Sequence, residues 1–172
     1  MLKSILKRSL TLVSATLLCI TFSASARTVD ELTHEYQIVY ECASKFTDYT
    51  LQDVQLQITN DDSIYARART SSNLIQIHYL SAQLLTNAQL HFILAHELAH
   101  IIFEDHTQSR LREQRADRIA VSILYHCGLD SSGYRSFLEA SQDSMGVHDS
   151  NATRIKMLDA HVDEMDLAAG VR

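Results

Sequence analysis

Two histidines and a glutamate stand at a metal-binding spacing within Leu84–His106, whose sequence is LLTNAQLHFILAHELAHIIFEDH. On a helix, residues four apart lie on the same side, so the imidazoles of His96 and His100 can reach one metal ion. Glu97 is rotated by roughly a quarter turn and can reach a water on that metal. Zinc lowers the pKa of such a water towards about 7, and a nearby carboxylate can pass its proton to a leaving amine. The spacing therefore fits metal-assisted hydrolysis.

The surroundings of the motif strengthen this interpretation. Apolar residues flank it on both sides, at Phe92–Ala95 and Ile101–Phe103. Charged and imidazole groups are costly to bury in such a helix without partners, and a metal ion is a simple partner. Thr86 followed three residues later by Gln89 is a capping box, which predicts one helix over 87–103.

A zinc site of this kind needs a third protein ligand, and His106 is one candidate. It follows His100 by six residues, the spacing at which metzincins complete their site, and Met145 lies downstream where a methionine turn would be. This reading requires a sharp turn at position 103. Metzincins have glycine there, whereas Phe103 resists the left-handed backbone that glycine adopts.

The competing ligand is Glu113, in the sequence EQRAD at Glu113–Asp117. The four-residue separation puts Glu113 and Asp117 on one face of the next helix. Glu113 can then bind zinc while Asp117 accepts a hydrogen bond from a liganding imidazole, which we expect to be that of His96. We favour this set of two histidines and one glutamate with an open fourth position, which leaves His106 exposed beyond the helix.

Three separated motifs resemble those of the HtpX-like and CaaX-prenyl-type peptidases, a gluzincin family of zinc metallopeptidases. They are HELAH at His96–His100, EQRAD at Glu113–Asp117 and HDSNATRI at His148–Ile155. In that family a His-Pro pair, followed by an arginine six residues after the histidine, precedes the last helix. His148 and Arg154 keep this spacing, with Asp149 in place of proline. The likeness spans roughly 54–158 and implies a zincin-like domain that binds one zinc ion per chain.

The resemblance also implies how a polypeptide would bind and react. An extended substrate would pair with the edge strand near Leu74–Tyr79 by strand addition. Glu97 would act as general base and acid, and His148 or Arg154 would face the oxyanion. His148 has a second implied role as a reversible fourth zinc ligand that keeps the site latent. The alternatives are a solvated loop histidine and an arginine paired with a surface acid.

Composition and periodicity predict a mostly helical α+β fold, with a small sheet of two to three strands packed on the active-site helix. The chain has no proline and four glycines, which favours helices over tight turns. Alternating apolar residues predict strands at Val54–Ile58 and Leu74–Tyr79, joined through a polar turn at 60–63, and 65–69 is a candidate third strand. Helical spacing and capping signals predict five helices, over 29–46, 87–103, 107–126, 132–141 and 150–164.

The first 26 residues have the order of a secretory signal. Basic residues within 3–8 precede an apolar run from Leu10 to Phe22 and the small residues Ala24–Ala26. The apolar run, about 13 residues long, is short for a membrane-spanning helix. We expect cleavage after Ala26, which leaves one domain over 27–172 in the periplasm or secreted.

Charge and cysteine usage limit the remaining choices. Residues 27–172 contain 12 basic and 21 acidic side chains, a formal net charge of −9 that disfavours nucleic-acid binding. Cys42 and Cys127 would both reach an oxidising compartment, where a disulfide persists. The sequence does not place their Cα atoms, so one disulfide and two buried thiols stay open as alternatives.

These observations predict a periplasmic zinc-dependent endopeptidase that binds unfolded or misassembled polypeptides as extended strands, without a membrane anchor. The alternative is a zinc-stabilised periplasmic binding or chaperone-like protein with little proteolysis. A third, weaker hypothesis is a cell-wall amidase or another zinc hydrolase. The ligand residues are the same in the first two cases, so the substitution Glu97→Gln separates them: a peptidase loses turnover and keeps its metal.

Overall fold

The computed structural model describes residues 26–46, 51, 53–107, 109–142 and 148–171. Over these residues the fold is α+β and mostly helical, as the sequence predicts. The elements in chain order are α1 (Val29–Phe46), β1 (Gln55–Thr59), β2 (Ala66–Arg69), a 3-10 turn (Thr70–Ser72), β3 (Leu74–His78), α2 (Tyr79–Gln83), α3 (Asn87–Ile102), α4 (Arg110–His126), α5 (Gly133–Ala140) and α6 (Asn151–Ala168). The predicted signal segment before Ala26 and the proposed methionine turn at Met145 lie outside the described residues.

Helix α3 is the buried centre of the fold. The predicted capping box is confirmed: the amide of Gln89 donates to the Thr86 hydroxyl at 3.3 Å, and the amide of Thr86 donates to the Gln89 side chain at 2.9 Å. Twelve of the sixteen residues of α3 are buried, on all sides of the helix. Helices α1, α4 and α5 and the sheet pack around it, so an almost wholly apolar sequence is stable here.

Local capping signals set the ends of α4 and α6. The side chain of Ser109 accepts from the amide of Arg112, so α4 begins at Arg110, three residues after the predicted start. Gly128 follows α4 with φ of +67°, the left-handed conformation predicted for a C-terminal glycine. Helix α6 continues to Ala168, beyond the predicted end near Glu164, because Val162 and Met165 still pack against the core.

The predicted arrangement of the strands is wrong in one respect. The sheet has the order β1-β3-β2, with β1 parallel and β2 antiparallel to β3. Strand β3, which we expected to be an edge, is the central strand, and β2 is the edge beside α3. Ile75 and Ile77 of β3 are fully buried, as a strand with two neighbours requires, and the chain turns into α2 at Tyr79 instead of continuing as a strand.

A disulfide joins Cys42 of α1 to Cys127, the residue after α4, with the two Cα atoms 6.0 Å apart. Of the two alternatives left open by the sequence, the structure has the bridge. It fixes the C-terminal end of α4 against α1, at the opposite end of α4 from Glu113. In the part of the chain that the structure describes, no helix has the length and apolar character needed to cross a membrane.

Candidate metal centre

Three side chains converge at the crossing of α3 and α4. Nε2 of His96 lies 3.1 Å from Nε2 of His100, and Oε2 of Glu113 lies 3.3 Å and 3.4 Å from these two nitrogens. Ligand atoms of all three residues lie within 4.8 Å of one another. Two imidazole nitrogens and a carboxylate oxygen are ligands that zinc commonly takes, so the residues present fit the metal predicted from the sequence.

The two helices explain this convergence. His96 and His100 are one turn apart on α3, and Glu113 lies in the first turn of α4, which packs across α3. His96 and Glu113 are buried, and His100 is partly buried. Bringing two imidazoles and a carboxylate together in such a place is costly unless a proton or a metal ion balances the carboxylate.

Behind His96 lies Asp117, which in turn is held by Arg154. Nδ1 of His96 is 2.9 Å from Oδ1 of Asp117, an ion-pair distance. Nε and Nη2 of Arg154 donate to the two carboxylate oxygens of Asp117, each at 2.7 Å. The contact with Asp117 turns Nε2 of His96 towards the cluster. Arg154 therefore pairs with a buried acid, and not with a surface acid as in the alternative interpretation.

His100 has a carboxylate partner of its own, Asp105, which the sequence motifs did not predict. Oδ2 of Asp105 is 3.1 Å from Nδ1 of His100. Its Oδ1 lies 3.3 Å from Nε of Arg112 and also pairs with Nη2 of Arg115. Both arginines belong to a basic series at the start of α4, Arg110, Arg112, Arg115 and Arg118. From the sequence alone, this series would be interpreted as a solvated face of the helix. The available signal was an acid five residues after the second histidine, followed by arginines near the start of the next helix.

The turn after α3 explains why Asp105, and not His106, reaches the cluster. The left-handed residue is Glu104, with φ of +50°, whereas Phe103 has φ of −97°. The amide of Asp105 then donates to the carbonyl of His100 at 3.0 Å. His106 is exposed, with its Nδ1 3.0 Å from the hydroxyl of Thr70, so it lies outside the cluster.

Glu97 lies beside the cluster on α3, facing the edge strand. It borders the same cleft as Ala66, Ala68 and Glu113. Burial raises the pKa of the Glu97 carboxyl; the charges of His96 and His100 and the amide of Ala68 oppose this rise. A carboxylate with a raised pKa is a stronger base, which suits general-base catalysis near neutral pH.

His148 approaches the cluster from the segment before α6. Its Nδ1 lies 3.4 Å from Oε2 of Glu113, and this nitrogen is buried without a hydrogen bond. The next residue anchors the segment on α4: Asp149 accepts from the side chain of Gln114 at 2.6 Å and lies 3.3 Å from Nε of Arg110. Asp149 thus provides a polar anchor where the resemblance led us to expect proline.

The electrostatics of the cluster fit a cation at its centre. Burial by itself lowers the pKa of His96, but contacts with Asp117 and Glu113 raise it to about 10. Burial raises the pKa of Glu113, but contacts with His100 and His96 hold it well below its usual range. For His148, burial lowers the pKa, and attraction to Glu113 opposes this only in part. A cation bound among these residues would therefore compete with the proton that His96 carries.

Two adjoining cavities border the cluster, and both are lined by Ala66, His96, Glu97 and His148. One, of about 140 Å³, is polar and lies along β2, between Ala66–Ala68 and Thr107. The other, of about 250 Å³, is mainly apolar and extends towards α5. A larger cavity of about 780 Å³ lies beside the disulfide and is bordered by none of the cluster residues, so we do not assign the chemistry to it.

Comparisons of the chain with profiles of known protein families, with curated proteins and with solved structures give no match.

Proposed function

We propose that this protein is a zinc-dependent endopeptidase with a zincin-like domain of the gluzincin type. It would act in the periplasm on unfolded or misassembled polypeptides. The observation that carries the proposal is the convergence of Nε2 of His96, Nε2 of His100 and Oε2 of Glu113, with Glu97 beside them on the same helix. The resemblance of three motifs to the HtpX-like family supports the same activity.

The chemistry divides between the metal and the residues of the chain. When bound by His96, His100 and Glu113, zinc would supply a Lewis acid that polarises a carbonyl and lowers the pKa of water. Glu97 takes the proton of the attacking water and delivers it to the nitrogen of the leaving amine. Burial of Glu97 raises its pKa, which strengthens it as a base in the first step.

Strand addition is expected at β2, and not at β3 as the resemblance implied. The amide of His78 donates to the carbonyl of Tyr65, so Tyr65 and His78 form a hydrogen-bonded pair of the antiparallel ladder. By alternation, the backbone groups of Ala66 and Ala68 point away from β3, towards the cleft beside Glu97. Because the amide of Ala68 already donates to Glu97, a polypeptide would pair with the backbone groups of Ala66 and lie next to the metal cluster.

His148 and Arg154 receive different roles in this proposal. The 3.4 Å approach of His148 Nδ1 to the ligand oxygen of Glu113 favours a fourth ligand that must withdraw before substrate reacts. Arg154 acts through Asp117 and His96, because two of its donors hold the Asp117 carboxylate. It is therefore a positioning residue here, and the role at the oxyanion inferred from the resemblance is not required of it.

The same position of His148 favours the alternative, a zinc-stabilised binding or chaperone-like protein. Four protein ligands close the coordination of zinc, which is typical of structural sites. The substitution His148→Ala separates the two functions. Under our proposal it leaves zinc bound and does not abolish cleavage of unfolded casein, whereas a structural site would lose affinity and gain no activity.

Metal content and casein cleavage of the processed chain, residues 27–172, test the proposal. We expect about one zinc per chain in the wild type, loss of zinc and activity in Glu113→Ala, and retention of both in the matched control His106→Ala. Equal loss in the two variants would refute the choice of Glu113. A wild type that binds zinc but leaves casein intact, with or without His148→Ala, would refute the peptidase.

A further inference from the structure

A groove of about 340 Å³ lies between α4 and α6. Its wall on α4 includes a stripe of residues at helical spacing, namely Leu111, Arg115, Arg118 and Ser122. These residues lie about half a turn round the helix from Glu113, so the groove is on the far side of α4 from the metal cluster. Met157 and His161 of α6 face the stripe. The volume of the groove falls within the range of about 300–1,000 Å³ that is usual for small-molecule sites.

The α4–α6 groove is cationic in a chain that is strongly acidic. Residues 27–172 contain 12 basic and 21 acidic side chains, yet the described residues that line the groove include two arginines and a histidine and no acid. The rest of the lining is uncharged, and Leu111, Ile119 and Met157 make part of it apolar. A site with these two kinds of wall is complementary to an organic anion that carries an apolar part.

Two buried nitrogen atoms beside this groove make no hydrogen bond within the part of the chain that the structure describes. They are Nε of Arg115 and Nδ1 of His161. Buried polar atoms nearly always have a partner, so each exception requires an explanation. The hydroxyl of Ser122 lies 2.7 Å from Nε2 of His161. When this hydroxyl donates to Nε2, the ring proton is on Nδ1, which is then a donor that lacks an acceptor.

Arg115 is fixed in its position at the groove. Its guanidinium carbon lies 4.3 Å from the centre of the Phe103 ring, and its Nη2 pairs with Asp105. An anion that binds beside Arg115 would therefore meet a side chain that has already lost most of its conformational freedom. Such preorganisation lowers the entropic cost of binding.

A carboxylate of the chain already approaches two of the groove's basic side chains. Oε2 of Glu164 lies 3.5 Å from Nη2 of Arg118 and 3.6 Å from Nδ1 of His161. Both distances exceed those of a charge-assisted hydrogen bond, and the Glu164 side chain is 68% exposed, so these contacts contribute little stability. Glu164 thus marks a position where an anion is attracted, and its side chain can move into solvent when another anion binds there.

We propose that the α4–α6 groove binds an amphiphilic organic anion, which has a carboxylate or phosphate head group and a short apolar chain. The head group takes the position of the Glu164 carboxylate, between Arg118 and His161, and the apolar chain lies against Ile119 and Met157. This ligand site is separate from the metal cluster and does not depend on the proposed peptidase activity. Carboxylate and phosphate share the feature that the groove recognises, which is a negative charge spread over several oxygen atoms.

Calorimetric titration of the processed chain, residues 27–172, with octanoate and with octyl phosphate tests the site. Both probes are kept below the concentrations at which they form micelles. We expect one site per chain, and at least about tenfold weaker binding of octanol, which lacks the charge, and of acetate, which lacks the apolar chain. The probe that binds more tightly identifies the head group. A chain that binds neither probe, or that binds octanol equally well, overturns the proposal.

Two exposed side chains test the position of the head group in opposite directions. Arg118→Met should weaken binding of the tighter probe about tenfold, because it removes the charge and keeps an apolar stem. Glu164→Gln should strengthen binding about two- to fivefold, because the competing carboxylate is lost. The matched control is Arg135→Met on α5, where an arginine of the same exposure pairs with Asp159. It should change the affinity by less than about twofold, since its charge is outside the groove.

The outcomes for these variants decide the assignment. Equal losses in Arg118→Met and Arg135→Met, or weaker binding in Glu164→Gln, overturn the proposed position of the head group. All three side chains are about half exposed or more, so we expect every variant to fold, and thermal unfolding checks this. Arg115 is left unchanged because its contact with Asp105 supports the metal cluster.

Nuclear magnetic resonance of the wild type gives a readout that needs no variant. Titration with the tighter probe should shift the Nδ1 resonance of His161 and leave that of His34, an exposed histidine of α1, unchanged. Equal shifts of both, or no shift of His161, would overturn the site. None of these measurements involves cleavage of casein, so failure of this inference and failure of the proposed function are distinguishable.

Discussion

The carboxylate of Asp105 lies 3.1 Å from Nδ1 of His100, on the side of the ring opposite the metal cluster. His96 has the same kind of partner in Asp117, and arginines hold both carboxylates. Each imidazole is therefore oriented by an acid that is itself fixed. This arrangement makes the acids as relevant to metal affinity as the ligands that they support.

Replacing Asp105 by asparagine should weaken zinc binding about 10- to 100-fold, because His100 loses the acceptor that orients it and raises its basicity. A competitive titration with a chromogenic chelator measures the affinity. The control Asp61→Asn removes an exposed acid of the β1–β2 turn and should leave the affinity unchanged. Equal affinities of wild type and Asp105→Asn would show that Asp105 does not support the site.

Replacing Arg154 by methionine should destabilise the fold by about 3–5 kcal/mol, since it leaves the charge of buried Asp117 unpaired. Urea unfolding measures the free energy of unfolding. Adding Asp117→Asn to the same chain should recover part of this loss, because the unpaired charge is then removed. A loss that the second substitution does not reduce would mean that Arg154 acts through other contacts.

Zinc affinity should rise with pH. The pKa of His96 is raised to about 10, so at pH 7 to 9 the free protein carries a proton that zinc must displace. Glu113 contributes no proton in this range, because its pKa is lowered. We expect close to a tenfold gain in affinity per pH unit from this group, and calorimetry in buffers of different ionisation enthalpy should detect about one proton released. An affinity independent of pH would contradict protonation of His96 in the free protein.

Loss of the disulfide should reduce stability without altering the metal cluster. Cys42 and Cys127 are separated by 85 positions in the sequence, so the bridge restricts a long loop of the unfolded chain. The double replacement by serine should lower the free energy of unfolding by about 2–5 kcal/mol and leave zinc affinity within about twofold. A large loss of zinc affinity would contradict this prediction, because it would mean that the disulfide and the metal cluster are coupled through α4.

Local signals in the sequence predicted much of the fold. The capping box at Thr86 and Gln89, the apolar flanks of His96 and the glycine at 128 each act within a few residues, and the ends of α3 and α4 follow them closely. Helical spacing also predicted that His96 shares a face with His100, and Glu113 with Asp117, although it did not predict that α4 would cross α3 at the histidines.

What the sequence did not predict depends on contacts between distant residues. Strand β3 alternates like an edge strand, and only the parallel pairing with β1 makes it central. The role of Asp105 depends on Glu104 taking a left-handed conformation that its residue type does not favour. Arg115 looked like a solvated charge because its partner, Asp105, lies beyond the start of its own helix.

The most direct test of the central claim is the rate at which zinc-loaded Glu97→Gln cleaves unfolded casein, compared with wild type at equal zinc content. Glutamine keeps the size of the side chain and removes its ability to accept a proton. We predict a rate lower by several orders of magnitude with zinc affinity unchanged. A variant as active as wild type would contradict the assignment of Glu97 as the general base, and with it the proposed mechanism.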